Sequence, residues 1–326
     1  MAMAQTRRRF LTTLSAVGAA GVVRAPPSLA ADGALETTTV RIAKIGAVCL
    51  APQYVSEELL RAEGFTDIRY VDLLQGAEFV RAVGRGEADF STAEASNLIV
   101  EIVAGARVVA VAGVHVGCYE LFAQPNIRRV SELKGKRVAA ADNPWLFNVI
   151  AAQVGLDPAK DIDYVVGNDP AVDPLDLFAQ GKIDAFLGFP PHPQELRARH
   201  LGHVLVSTAV DQPWSQYFCC MLVGNREYVR DHPVATKRAM RAILKAADLC
   251  AAQPERVARM LVDRGFAPRY DNALQTLNDV PYDKWREYDP EDTLRYYACA
   301  CMKSAGSNRF LRRSSPRTPT GAFSTN

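Results

Sequence analysis

The chain lacks a Cys-x-x-Cys pair, a glycine-rich loop closed by lysine, and a Gly-x-Ser-x-Gly turn. Those absences remove the plain marks of a dithiol redox site, a phosphate cradle and a hydrolase nucleophile elbow. His200-Leu201-Gly202-His203 has no third ligand at a suitable spacing, so it reads as a histidine pair favouring a helix end rather than as a metal site. An excess of positive charge is also missing. The formal net charge is +2, residues 1–30 hold four arginines and no acid, and residues 31–326 therefore stand at −2. Nothing in that balance supplies a basic face for nucleic acid. The apolar run TTLSAVGAAGVV near the N-terminus is shorter than the roughly 20 residues that span a bilayer.

What precedes and follows that run has a recognisable anatomy. Arg7-Arg8-Arg9-Phe10-Leu11 is a charged opening and Ala25-Pro26-Pro27-Ser28-Leu29-Ala30 ends in a small-x-small cleavage signal. The consecutive arginines before Phe10 and Leu11 resemble a twin-arginine signal. Residues 1–30 are expected to be an export peptide cleaved near Ala30, delivering a protein to the oxidising periplasm, where disulfides persist. Cys49 is too distant from the start to be a lipoprotein processing site.

The composition, 48% hydrophobic and 23% charged over 326 residues, is ordinary globular material for about two domains. Short β-branched runs alternate with amphipathic stretches. VRIAKI precedes PQYVSEELLRAEG, a predicted helix; IRYVDL precedes GAEFVRAVGRG; ADF precedes STAEASNLIVEIVAG; RVVAVAGVHVG closes the first set. RVAAAD, IDYVVG, DAFLGF and HVLVST head a second set, and after QYFCCMLVGN helices dominate. The pattern predicts an α/β protein with parallel sheets covered on both faces. Ligands then bind beyond the carboxyl ends of the strands, at strand-to-helix turns.

Four segments carry a family resemblance: Gly86-Glu87-Ala88-Asp89-Phe90, Ala104-Gly105-Ala106-Arg107-Val108-Val109, Ser131-Glu132-Leu133-Lys134-Gly135-Lys136-Arg137-Val138 and Gly181-Lys182-Ile183-Asp184-Ala185-Phe186. In this order the chain resembles periplasmic solute-binding proteins of ABC importers, of the nitrate/sulfonate/taurine type that also resembles the yeast thiamine-pyrimidine synthase. The resemblance implies a two-lobed type II periplasmic binding protein with two crossing hinge segments and a helical C-terminal part. Residues 38–118 and 224–298 would form lobe 1 and residues 119–223 lobe 2, with crossings near Gly117 to Ala123 and Tyr217 to Asn225. It implies a monomer that captures a small organic solute, a sulfonate, a pyrimidine or similar, and passes it to a permease and ATPase complex or to a sensor. No cofactor and no chemistry on the solute are expected. The alternative from the same resemblance is a synthase-like enzyme using pyridoxal phosphate and iron; its CCCFC motif lies in the strand matching QYFCCMLVGN, but the cysteines here do not fall on its positions.

Turns of both lobes would then supply the cleft. Pro52 suits a first helical turn ahead of Tyr54, Ser91 and Thr92 would open the next helix beside Glu94, and His115 ends the fourth strand. In the second lobe Asn143 would cap a helix that begins Pro144-Trp145, Phe189 follows a strand, and Trp214 precedes the second crossing. The expected ligand-binding set is Tyr54, Ser91, Thr92, Glu94, His115, Asn143, Trp145, Phe189 and Trp214. Only Lys44 places a cation at a cleft turn, so a strongly anionic ligand is not demanded.

Cys219 and Cys220 sit in the second crossing, where strand alternation points them to opposite faces. Two readings stand: small apolar residues, or a disulfide from Cys118 in the first crossing to Cys219 or Cys220. From Cys299 the chain loses helical periodicity and carries five basic residues and no acid. Codons for Pro319 to Asn326, read one base earlier, can give TDWRFLNEL, similar to the ending of such binding proteins. Residues 299–326 are therefore expected to be the product of a one-base frameshift near Ala298, disordered or poorly packed.

Overall fold

A computed structural model describes residues 33–73, 77–140, 144–165 and 173–304. The expected export signal at residues 1–30, Asn143 and residues 305–326 lie outside them. From Leu35 onward the chain makes one unit built on two five-stranded sheets.

The first half of lobe 1 runs β1 (Thr39–Lys44), α1 (Ala51–Val55), α2 (Glu57–Ala62), β2 (Asp67–Asp72), α3 (Ala77–Gly84), β3 (Phe90–Glu94), α4 (Ala95–Val103) and β4 (Val108–Val116). Lobe 2 follows as β5 (Glu120–Ala123), β6 (Lys136–Ala140), α5 (Pro144–Gln153), β7 (Ile162–Tyr164), α6 (Pro174–Ala179), β8 (Ala185–Gly188), α7 (His192–Ala198) and β9 (His203–Ser207). The return consists of β10 (Phe218–Asn225), α8 (Arg226–Asp231), α9 (Pro233–Ala252), α10 (Pro254–Asp263), α11 (Tyr270–Asp279) and α12 (Pro290–Ser304).

The strand orders are β2-β1-β3-β10-β4 and β7-β6-β8-β5-β9. In each sheet one strand runs antiparallel to its neighbours: β10 against β3 and β4, β5 against β8 and β9. These two strands follow the crossings between lobes. β10 is buried along its whole length, which explains its continuous apolar sequence. The second crossing therefore occupies the segment between β9 and β10, and residues 218–223 belong to the lobe 1 sheet rather than to lobe 2 or to a hinge.

Two further expectations change. PQYVSEELLRAEG breaks into α1 and α2 at Ser56, whose hydroxyl donates to Gln53 O at 3.0 Å. Helix α12 continues past Cys299 to Ser304, and Cys301 is fully buried against Val100 and Val149. Burial of that one thiol among apolar side chains gives this part of the tail a packed face despite its weak periodicity.

Helix α9 covers the first sheet with a stripe of small residues, Ala235, Ala239, Ala242, Ala246 and Ala247, around Ile243. Fully burying a side chain such as Ile243 contributes roughly 1.5–3 kcal/mol. Arg41 of β1 pairs with buried Asp89 at 2.6 Å and donates to Gly86 O at 2.7 Å, fixing the turn before β3.

Candidate functional site

The site begins where β1 and β3 end. Gln53, fully buried on α1, donates Nε2 to Ala43 O at 2.7 Å and accepts Thr92 N at 2.7 Å. One side chain thus ties the carboxyl ends of both strands, satisfying backbone groups that would otherwise be buried unpaired. Behind it, Tyr54 receives Ile45 N at 3.1 Å, donates to Ile45 O, and stacks on Phe266 at 4.6 Å.

In front of this tie lies a cavity of about 50 Å³. Lobe 1 lines it with Ile45, Ala47, Cys49 and Leu50 after β1, Phe79 of α3, Thr92 and Glu94 of β3, and Asn97 of α4, with Cys220 from β10. Tyr119 of the first crossing and Phe189 after β8 complete it. Their rings stand 5.4 Å apart, and Val48 N donates to Pro190 O at 3.4 Å across the same gap. On a second contact between lobes, Gln194 of α7 donates to Asp279 of α11 at 3.0 Å, and Arg197, paired within lobe 2 with Glu120 at 2.6 Å, reaches Asp279 at 3.5 Å.

Among the described residues, Glu94 is the one carboxyl on the cavity wall. It caps α4, its Oε2 accepting Asn97 N at 2.9 Å and Ser96 Oγ at 2.6 Å. Burial, reinforced by Cys219 nearby, pushes its acid up to about 7. Thr92 Oγ1 is buried and has no hydrogen-bond partner among the described residues. Among the described residues no lysine or arginine lines the cavity; Lys44 pairs with Asp72 at 3.4 Å and lies 5.7 Å over Phe266.

The expected set separates accordingly. Thr92, Glu94 and Phe189 come together on the cavity. Ser91 and Thr92 do not open a helix; they lie within β3, which is wholly buried, and the helix starts at Ala95. Ser91 and Tyr54 sit behind the wall, and Trp145 packs by Val100, Val149 and Cys301. Trp214 is buried in the core, its indole N–H without an acceptor among the described residues. His115 is fully buried below the cavity, edge-on to Tyr282 at 5.3 Å. Asn97, Phe79 and Tyr119 were missed as lining residues; only the Glu94-to-Asn97 spacing, which places a cap three residues before its partner, offered a signal.

Beneath the cavity the two crossings meet. Thr208 Oγ1 accepts Cys118 N at 3.2 Å and Tyr119 N at 3.0 Å, and donates to Tyr119 O at 3.0 Å. Gly117 has φ +31°, and a Cβ there would lie 2.2 Å from Ala209 Cα. Cys118 Sγ stands 3.4 Å from Cys219 Sγ, in contact and unbonded, and Cys219 Sγ is 4.0 Å from Cys220 Sγ. Cys219 and Cys220 do not alternate as a regular strand would have them. Register shifts between Phe218 and Cys220 and between Cys220 and Met221 bulge β10 against β4, and a bulge re-aims side chains. Hydrogen bonding from Cys118, then from Cys220, holds the Cys49 thiol well below its usual range.

A family model described as NMT1/THI5 like matches residues 66–257. The chain belongs to the NMT1/THI5-like family. Solved structures share its fold. The alkanesulfonate-binding protein SsuA from Xanthomonas axonopodis pv. citri bound to MOPS is 18% identical, over 86% of this chain and 99% of that one, with TM-score 0.66. The periplasmic aliphatic sulphonate binding protein SsuA from Escherichia coli is 19% identical, over 89% and 96%, with TM-score 0.64. The periplasmic nitrate-binding protein NrtA from Synechocystis PCC 6803 is 16% identical, over 88% and 93%, also at 0.64. No curated protein matches in sequence. This member of the family has the two-lobed periplasmic-binding-protein fold.

Proposed function

We propose that the chain is the solute-capturing component of an ABC importer, working in the periplasm and handing an unaltered small molecule to a permease and ATPase complex. Support comes from the cavity between two lobes joined by two crossings, together with the family and the binding proteins that share the fold. The cavity, at about 50 Å³, is well below the ~300–1,000 Å³ of common ligand sites. An organic solute therefore enters with the lobes parted and is enclosed when they close about Gly117 and Thr208.

The solute class follows from Glu94. The start of a helix is the usual seat for an anion, but at α4 Glu94's own carboxyl takes that seat. A sulfonate or nitrate would face this acid with no lysine or arginine on the wall among the described residues, and burying an uncompensated charge costs several kcal/mol. The geometry suits a flat or apolar body held between Tyr119, Phe189 and Phe79, with N–H groups donated to Glu94 and Thr92. Amino-substituted heterocycles and small amidines or amines fit; strong anions do not.

Thermal-shift screening tests the reading, since a ligand bound only by the folded state raises its Tm. Aminopyrimidines, amidines and amines are compared with alkanesulfonates and nitrate. A rise confined to the N–H donors is expected. A rise with the sulfonate or nitrate alone would overturn the solute class.

A further inference from the structure

Four cysteines and a histidine from three separate stretches of chain converge below the cavity, and the solute reading gives them no role. The ligating atoms of Cys49, His115 and Cys118 all lie within 4.8 Å of one another, as do those of Cys118, Cys219 and Cys220. Each of the five residues is at most 7% exposed. We propose that Cys49, His115 and Cys118, joined by a thiol of β10, form a binding site for one soft d10 cation, Zn²⁺ or Cu⁺.

The distances suit such an ion. Zinc–sulfur bonds of ~2.3 Å at tetrahedral angles place neighbouring sulfurs ~3.8 Å apart. The contacts from Cys118 to Cys219, 3.4 Å, and from Cys219 to Cys220, 4.0 Å, bracket that spacing. A cation drawn between the sulfurs requires small side-chain adjustments and no change in the strands.

The histidine is prepared in the manner of a metal ligand. His115 Nδ1 lies 3.0 Å from Val116 O. A carbonyl only accepts, so Nδ1 carries the proton and the lone pair is left on Nε2. That atom is buried without a hydrogen-bond partner among the described residues. Ligating imidazoles characteristically donate their other nitrogen to a carbonyl, which fixes both tautomer and ring orientation.

Charge gives a further reason. Three thiolates and a neutral imidazole around Zn²⁺ leave one negative charge in place of three, and around Cu⁺ they leave two. Bare thiolates buried together have no such compensation. Thiolate with imidazole is a donor set for Zn²⁺, and sulfur-rich sets also select Cu⁺. The local chain geometry makes the convergence. The turn after β1 brings Cys49, the tight passage at Gly117 brings Cys118, and the bulge in β10 turns Cys219 and Cys220 toward it. Cys49 and Cys220 also border the cavity, so the ion sits at its floor.

The test uses the full chain, purified anaerobically and without added reductant, then titrated with Co²⁺, Zn²⁺ and Cu⁺ against chromophoric chelators. One equivalent is expected to bind, with Co²⁺ giving sulfur-to-metal charge-transfer and tetrahedral d–d bands. Cys118→Ser should weaken binding at least a hundredfold; Cys49→Ser and His115→Gln should each weaken it at least tenfold. Exposed Cys299→Ser should leave it unchanged. Competition between Zn²⁺ and Cu⁺ identifies the preferred ion. Circular dichroism of each variant checks folding, and if Cys118→Ser fails to fold, the Co²⁺ spectra of the wild type and of His115→Gln decide. A chain that binds less than one equivalent, variants that bind as the wild type does, or a Cys118–Cys219 disulfide in the protein as recovered would each overturn the site.

Discussion

The two lobes repeat one plan and contribute unequally. Each sheet has a parallel core, a single antiparallel strand entered through a crossing, and an edge strand beyond it. Lobe 1 nevertheless supplies the cavity's carboxyl, hydroxyl and thiols, whereas among the described residues lobe 2 itself supplies only the ring of Phe189. The difference lies in the strand ends. β3 runs straight into α4 through Glu94, which brings a side-chain acid and a helix start to one point. β8 ends in Gly188-Phe189-Pro190-Pro191 and presents a ring and a carbonyl. On the proposed function, one lobe sets what is recognised and the other closes over it.

The largest effect should come from joining the lobes wrongly. In Gly117→Ala the new methyl meets Ala209 backbone, which cannot rotate away. A loss of more than about 3 kcal/mol is expected, read as a lower urea midpoint with the single transition resolving into two. Glu94→Gln tests the chemistry assigned to lobe 1. The acid is near 4.5 when unfolded and about 7 when folded, so the folded state holds the extra proton between those values. The wild type should lose stability as pH rises through that window, by about 3 kcal/mol in all. Glu94→Gln keeps an acceptor for Asn97 N, so its Tm should change less between pH 5 and pH 8; equal slopes would remove Glu94 from the account.

A smaller effect is expected of Thr208→Val, which keeps shape but strands the N–H groups of Cys118 and Tyr119. The cost should be about 2 kcal/mol, measured by thermal or urea unfolding. The smallest belongs to lobe 2. Phe189→Ala should weaken an N–H-donor solute by about tenfold, near 1.4 kcal/mol, and because the ring is buried urea unfolding must show the variant folded at the titration temperature. A loss greater than that for Glu94→Gln in the same calorimetric titration would reverse the assignment of recognition to lobe 1.

Alternation of strands and helices was legible because burial imposes period on sequence. The segments around VRIAKI, RVVAVAGVHVG and DAFLGF all fold as strands at those places. Thr92, Glu94 and Phe189 were reachable because a strand's end is readable to within a residue or two. Tyr54 and His115 carry the same kind of turn signal yet point inward. Which side a turn residue faces depends on the neighbours it meets: Phe266 for Tyr54, and Tyr282 for His115. The bulge in β10 had no mark in QYFCCMLVGN, since it arises from fitting that strand between β3 and β4. Nor could periodicity show that Cys301 finds a pocket between α4 and α5.

The placement of β10 also dictates an order of assembly. Until β10 arrives, β3 and β4 have no pairing with each other, so the first sheet is split while the second, contiguous from β5 to β9, can close. At ribosomal rates of ~5–20 residues per second, the stretch from the end of β4 to the end of β10 takes roughly 5 to 20 seconds to synthesise. During that interval the facing edges of β3 and β4 stay open to any other strand. The lobe begun second is complete first, and the lobe that carries the recognition chemistry waits on a strand made after its partner.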